Sequence, residues 1–342
     1  MIKRILIVGL GSIGKRHLRL ARERFPGADI RVLRHQECLS VPEYATGCFS
    51  EMNQAIAFAP QLAVIASPAP FHMQVAQLLA SAGVHLLVEK PLSDSLEGVP
   101  ELLETVHVRG TVLLTGYNLR FLPSLRAFRE MLRADAVGRV LSVRCEIGQY
   151  LPAWRPDADY RGGVSSQKKL GGGALLELSH EVDYLRWIFG EVSWVEATLS
   201  RQSSLEIDVE DTAHLILGFA PEPDGRQLIG TVSMDFIRHD TTRLCTAIGD
   251  RGSLRWNGLT GVVEQFDAGG KNWRECFRHQ HQRDESYQAE WAHLLECIEE
   301  RAIPLITGED GFMVMRLVEA VRESSKAEAR VRLMETAEKV GA

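Results

Sequence analysis

A lysine after a buried strand, a histidine among carboxylates and a run of closely spaced glycines are the residues of this chain best suited to chemistry. Lys90 stands in Glu89-Lys90-Pro91, directly after the apolar run Val84–Val88. Ser67-Pro68, with His72 just beyond, and Tyr117-Asn118 also follow apolar runs at once. In an open parallel sheet, ligands gather beyond the carboxyl ends of the strands, so all three are candidate ligand-facing turns. Further on, a helix read over Ala174–Phe189 puts Leu175, Leu178, Val182, Leu185 and Phe189 on one face at about 100° per residue. Glu177, His180, Glu181 and Tyr184 share the opposite face. A histidine three or four residues from a carboxylate suits general acid–base work, because the carboxylate fixes the tautomer and stabilises the imidazolium. Simple solvation of that stripe is the competing explanation. Flanking Leu176, Trp187 and Ile188, and Gly171-Gly172-Gly173 at the helix start, weigh against it.

The glycines read as a dinucleotide site. Ile5-Leu6-Ile7-Val8 suits a strand buried on both faces, and Gly9-Leu10-Gly11-Ser12-Ile13-Gly14 follows in G-x-G-x-x-G spacing. Gly9 permits the tight turn, Gly11 lets backbone approach a pyrophosphate, and Gly14 lets helix pack closely on strand. Ser12 and Ile13 open a helix whose N-terminal amides face that pyrophosphate. About 20 residues past the fingerprint, NAD enzymes place an acid on the ribose hydroxyls. Here that offset lands on Arg34, whose planar charged fork matches a 2′-phosphate and favours NADP over NAD. Glu37, three residues on, is the carboxylate that could reach the ribose instead.

The elements that must position these residues change character along the chain. Strands alternate with helices over residues 1–118, which specifies a doubly wound parallel sheet, an α/β Rossmann domain. Residues 119–342 read as an α+β domain with a largely antiparallel open sheet, including strands at Val192–Ser200 and Thr212–Phe219. Within the second domain, Tyr150–Gly173 has no period and carries Trp154, Arg155, Tyr160, Arg161, Lys168 and Lys169. Aromatics interleaved with cations suit a sugar ring bearing a phosphate or carboxylate, and a loop this long is usually functional or disordered.

Composition excludes other classes. A net charge of −6 argues against a nucleic-acid surface, and no segment approaches the ~20 continuous apolar residues of a membrane span. The six scattered cysteines, without a C-x-x-C, suit a reduced cytoplasmic protein. Cys276-x-x-His279-x-His281 has metal-binding residue types, but its very polar setting reads as surface, so no metal is expected.

Taken in order, Gly9-x-Gly11-x-x-Gly14-x-x-His17, Glu89-Lys90-Pro91, Gly116-Tyr117-Asn118-x-Arg120-Phe121, the Gly171–Gly173 helix with Glu177, His180 and Asp183, and the closing Pro304–Gly311 stretch resemble the glucose–fructose oxidoreductase / inositol dehydrogenase / rhizopine-catabolism (Gfo/Idh/MocA) family. The resemblance spans the chain, and Glu-Lys-Pro is its most specific mark. It implies Lys90 between nicotinamide and the reacting hydroxyl, with a cis Lys90–Pro91 peptide, and His180 as the acid/base. Glu177 would orient His180, and Asn118, Arg120, Trp154, Arg155, Tyr160 and Asp183 would hold substrate. The family usually places an Asp four residues before its catalytic His; here Glu177 lies three before His180 and four before Glu181, which leaves Glu181 as a second candidate. The implied activity is hydride transfer between NAD(P) and a secondary hydroxyl of a nucleotide sugar or acidic sugar, in a homodimer or homotetramer. Alternatives are transient redox enabling an epimerisation or elimination, and a non-catalytic dinucleotide sensor, for which Lys90 and His180 would be superfluous.

Overall fold

In the computed structural model, which describes residues 2–35 and 38–333, the chain divides into two compact units. The first comprises Met1–Asn118 and Tyr287–Met315. Strands β1 (Arg4–Val8), β2 (Asp29–Leu33), β3 (Gly47–Phe49), β4 (Leu62–Ile65), β5 (His85–Glu89) and β6 (Leu113–Gly116) form a parallel sheet in the order β3-β2-β1-β4-β5-β6. Helices α1 (Ser12–Arg24), α2 (Met52–Ala57), α3 (His72–Ser81) and α4 (Val99–Arg109) alternate with the strands. The unbroken apolar run of β1 is required because both its faces are covered. Leu6 and Val8 pack with Ile65, Leu79 and Val88; Ile5 and Ile7 pack with Leu18, Ala21 and Val64. α4 begins at Val99, past a turn that holds Ser93 and Ser95. The Ser93 hydroxyl accepts from the Ser95 amide within that turn.

The second unit comprises Leu119–Ser286 and Arg316 onward. α5 (Pro123–Arg133) leads into β7 (Val140–Gly148), and the helical stretch expected over Ala174–Phe189 is two helices, α6 (Ala174–Glu177) and α7 (His180–Phe189). At the break, the amides of Ser179 and Glu181 reach back three residues, to the Leu176 and Leu178 carbonyls at 3.4 and 3.2 Å, tightening the coil locally. The strands β8 (Val192–Ser200), β9 (Thr212–Phe219), β10 (Ile229–Asp235), β11 (Thr242–Gly249), β12 (Gly252–Asn257), β13 (Val262–Asp267) and β14 (Arg274–Arg278) follow. Then come α8 (Glu285–Ile298), α9 (Gly308–Ala327) and β15 (Val331–Arg332). The second sheet runs β14-β13-β12-β11-β7-β10-β9-β8-β15, antiparallel at every junction except β7 with β10.

Trp291 and Leu294 of α8 belong to the core around Ile5 and Leu18, so the first unit includes a late segment, where the sequence pattern places one boundary at residue 118. The Tyr150–Gly173 segment has regular local structure: short 3₁₀ turns at Leu151–Ala153, Tyr160–Gly162, Val164–Ser166 and Lys168–Leu170. Cys38 and Cys48 form a disulfide with Cα atoms 6.2 Å apart, which corrects the expectation of a fully reduced chain. β3 pairs beside β2 with Cys48 opposite Val32. No helix among the described residues is long and apolar enough to cross a membrane.

Candidate active site

In the first unit, backbone geometry builds the ligand-facing edge. Gly9 has φ +86°, and a Cβ there would lie 2.8 Å from the Ala66 carbonyl oxygen. A Cβ on Gly14 would overlap the Gly9 carbonyl, so the turn and the start of α1 are in contact through bare backbone. Gly11 differs: nothing lies within 4 Å of the position its Cβ would take, and the residue is exposed. Ser12 is exposed and Ile13 half-buried beside it, and the first turn of α1 carries no acidic residue that would repel an anion. These features fit the pyrophosphate of a dinucleotide. Arg34 directly follows β2, its amide donating to the Phe49 carbonyl at 3.1 Å, and its side chain is half-buried. Glu37 lies outside the described residues.

Ser67 and Pro68, both half-buried, turn the chain out of β4. Buried His72 ties that turn to the next one, with Nε2 2.7 Å from the Ser67 carbonyl oxygen and Nδ1 3.1 Å from that of Pro91. Burial pushes its pKa down, so one ring nitrogen donates at a time. The Lys90–Pro91 peptide is cis, as the resemblance implies.

Glu89 is buried, and each of its oxygens accepts a hydrogen bond. Oε2 accepts from the Lys90 amide at 3.1 Å, and Oε1 accepts from His17 Nε2 at 2.7 Å. On its other side, His17 Nδ1 accepts from Trp291 Nε1 at 3.0 Å. An indole can only donate, which assigns the His17 proton to Nε2 and aims it at Glu89. A buried relay of Trp291, His17 and Glu89 therefore holds the backbone of Lys90. Gly116, opposite Glu89 in the β5–β6 register, leaves room for the carboxylate: a Cβ there would lie 3.1 Å from Oε2. Asn118, at the turn after β6, is also buried.

In the second unit, charged side chains do the positioning. Arg120 and Asp183, both expected at a substrate, are joined to each other. Nε and Nη2 of Arg120 donate to the two carboxylate oxygens at 2.9 and 2.7 Å, and both residues are buried. This bidentate fork locks α7 against the turn before α5. The expected polar stripe on one helix is corrected in two ways. Fully buried Glu181 accepts from Arg243 Nε at 2.8 Å. Tyr184, also buried, sets its hydroxyl 3.0 Å from Cys145 Sγ and packs edge-on against Trp256 at 5.4 Å. That face of α7 is turned onto the sheet, while His180 at its first residue and Glu177 at the end of α6 remain half-buried.

Gly173, with φ +110°, opens α6 where a Cβ would lie 2.7 Å from the Glu210 carboxyl carbon. Glu210 accepts from the Leu175 amide at 3.0 Å, and burial pushes its pKa up. Of the loop residues, Trp154 donates to the Gln149 carbonyl at 3.0 Å and packs edge-on against Phe236. The Tyr160 hydroxyl accepts from the Glu206 amide at 3.2 Å, and Arg155 is exposed. Trp291, Arg243 and Glu210 were not singled out by sequence reasoning, and His17 and Gly116 entered only as part of the resemblance. Their partners lie far away in sequence, and no local spacing signals them.

Residues 3–117 match the NAD-binding Rossmann fold of an oxidoreductase family, Gfo/Idh/MocA, and residues 129–333 match that family's C-terminal alpha/beta domain. The chain belongs to the Gfo/Idh/MocA oxidoreductase family. Myo-inositol 2-dehydrogenase of Thermotoga maritima is 26% identical over 298 residues, 80% of this chain and 79% of that protein. Levoglucosan dehydrogenase of Pseudarthrobacter phenanthrenivorans is 33% identical over 138 residues, 40% of this chain but only 35% of that protein's length. The solved WlbA dehydrogenase of Bordetella pertussis, in complex with NADH and UDP-GlcNAcA, aligns with a TM-score of 0.79 at 21% identity. That alignment covers 98% of this chain and 99% of the solved one, a likeness of fold. As a Gfo/Idh/MocA protein, the chain carries its glycine turn and Glu-Lys-Pro segment in the N-terminal domain and its His180 helix in the C-terminal one.

Proposed function

We propose that this protein is an NAD(P)-dependent sugar dehydrogenase/reductase that moves a hydride between the nicotinamide and a secondary hydroxyl carbon. The observation that carries this reading is the built support under Lys90: a buried carboxylate, oriented by an indole–imidazole relay, holds the backbone of a lysine at the carboxyl edge of a parallel sheet. A surface lysine needs no such support. The bound dinucleotide supplies the hydride acceptor or donor. The Lys90 ammonium polarises the substrate oxygen, His180 accepts the hydroxyl proton during oxidation and returns it during reduction, and Glu177 orients the imidazole. Engagement of Glu181 by Arg243 supports His180 as the proton acceptor.

The aromatic and cationic residues of the long loop, Trp154, Arg155 and Tyr160, support a sugar carrying an anionic group, of the nucleotide-sugar or sugar-acid class, with Asn118 and the Arg120–Asp183 pair at its hydroxyls. Arg34 supports NADP as the preferred dinucleotide. In line with the resemblance, the working form is a homodimer or homotetramer in the cytoplasm.

The test is turnover against a panel of nucleotide sugars and sugar acids, read by cofactor fluorescence. Lys90→Met and His180→Ala should each cut kcat by about 10²–10⁴-fold while dinucleotide binding survives. Undiminished turnover in both variants overturns the reading in favour of a sensor. In the same assay, Arg34→Asp should erase a wild-type preference for NADPH over NADH. A wild type that binds NADH as well as NADPH reverts the cofactor to NAD.

A further inference from the structure

Beyond β14 the chain stays extended, with the His279 amide donating to the Gly261 carbonyl at 2.9 Å. Residues two apart in an extended chain face the same side, and the imidazoles of His279 and His281 lie 5.4 Å apart, centroid to centroid. Glu285, the first residue of α8, points back at both. Its carboxylate oxygens are 2.7 and 2.9 Å from His279 Nε2, and Oε2 is 3.9 Å from His281 Nδ1. The other nitrogen of His281 is held by the buried Ser124 hydroxyl at 2.8 Å, which itself accepts from Trp256 Nε1 at 3.0 Å. That leaves Nδ1 of His281 aimed into the group, buried and without a hydrogen-bond partner.

We propose that His279, His281 and Glu285 form a binding site for a divalent transition-metal ion of the zinc type. Two imidazole nitrogens and one carboxylate oxygen are the donors such an ion takes, and all three lie within 4.8 Å of one another. With metal–ligand distances of ~2.0–2.2 Å, tetrahedral ligands stand roughly 3.4 Å apart. The observed separations of 2.7 and 3.9 Å bracket that spacing, so closure requires only side-chain adjustment. The Ser124 bond to His281 is the outer contact that fixes which nitrogen faces the ion. Cys276, which the spacing alone had offered as a ligand, is engaged elsewhere. Its sulfur lies 3.2 Å from Arg274 Nη1 and 3.8 Å from Gln265 Oε1. The fourth position is left to water. The bound ion joins the extension of β14 to the first turn of α8 and stabilises the folded chain by mass action.

The full chain, without an affinity tag and stripped with a chelator, should take up one equivalent of Zn²⁺ in calorimetric titration, and Co²⁺ should give the intense visible absorption of a low-coordinate site. His279→Ala, His281→Ala and Glu285→Gln should each weaken Zn²⁺ affinity at least tenfold and abolish the Zn²⁺-dependent rise in Tm. Cys276→Ser should leave both unchanged. Glu285 also accepts from the Gln282 amide at 3.3 Å, so its replacement can lower Tm through lost helix capping alone. For that reason the reading is the difference in Tm with and without zinc. Absence of stoichiometric uptake overturns the proposal, as does uptake that survives all three substitutions. Equal loss of stability with and without zinc in the variants also overturns it and leaves an ion pair at a helix start.

Discussion

The two units place their functional groups by different means. In the first, the cofactor edge is made of bare backbone: Gly9 and Gly14 touch neighbouring carbonyls where no side chain fits, and Lys90 is held through its own amide by Glu89. In the second, the helix bearing His180 is fixed by ion pairs, buried Arg120 with buried Asp183 and half-buried Arg243 with buried Glu181. Backbone turns suit a ligand such as a pyrophosphate, which amides alone can bind. Such ion pairs suit a helix proposed to present the His180 imidazole in one orientation, because removing either partner of a buried pair leaves an uncompensated charge.

The largest expected effect follows from that contrast. Asp183→Ala removes the bidentate carboxylate from the buried Arg120 guanidinium and should cost about 3–5 kcal/mol of stability in denaturant unfolding. The double variant Arg120→Met/Asp183→Leu should recover much of that stability but not turnover. If Asp183→Ala costs no more than a surface substitution, the pair is dispensable and the second unit is positioned by packing alone.

A second buried acid in the first unit, besides Glu89, could break the comparison. Glu290 on α8 is fully buried, and neither carboxylate oxygen has a hydrogen-bond partner. Burial first, and the neighbouring Glu89 second, push its pKa well above 4.5. The folded state then keeps a proton that the unfolded chain releases above that value. Stability contributed by the neutral acid is therefore present at acid pH and lost as pH rises toward the folded pKa. Glu290→Gln, which cannot ionise, should have nearly the wild-type Tm at pH 4.5 and a progressively higher relative Tm at alkaline pH. A Tm difference that does not vary with pH would mean that Glu290 is ionised in the fold, and the contrast between the two units would narrow.

What could be read from the sequence follows the range of the interactions. β1, β4 and β5 are built on the apolar runs Ile5–Val8, Leu62–Ile65 and Leu86–Val88 because helices cover both faces, and β8 and β9 have the bounds that pattern and turn residues predict. β3 and β15, three and two residues long, are too short to show a period. The break at Leu178–Ser179 was not legible because neither residue is a helix breaker. It is seen only in the backward reach of the Ser179 and Glu181 amides. The candidate residues Arg120, Asp183 and Glu89 were legible as types, but their partners were not. Arg120 and Asp183 are 63 residues apart, and Trp291 meets His17 across 274. Pairings at that distance depend on the tertiary fold and leave no local spacing.

The smallest expected effect sharpens the comparison at two glycines three residues apart. A methyl group on Gly14 would overlap the Gly9 carbonyl, which is backbone and cannot swing away, so Gly14→Ala must push α1 off the turn. Overpacking of this kind costs typically about 1–3 kcal/mol, and the displaced amides should weaken dinucleotide binding as well. A methyl group on Gly11 meets nothing within 4 Å, and the residue is exposed. Gly11→Ala should therefore leave stability within about 0.5 kcal/mol, as for a surface substitution, yet still weaken binding by standing where the pyrophosphate approaches. Urea unfolding and cofactor fluorescence titration of the two variants separate the roles: Gly14 for fold and ligand together, Gly11 for ligand alone. If Gly11→Ala binds the dinucleotide as tightly as wild type, the pyrophosphate does not cross this turn, and the backbone account of the first unit fails at its central position.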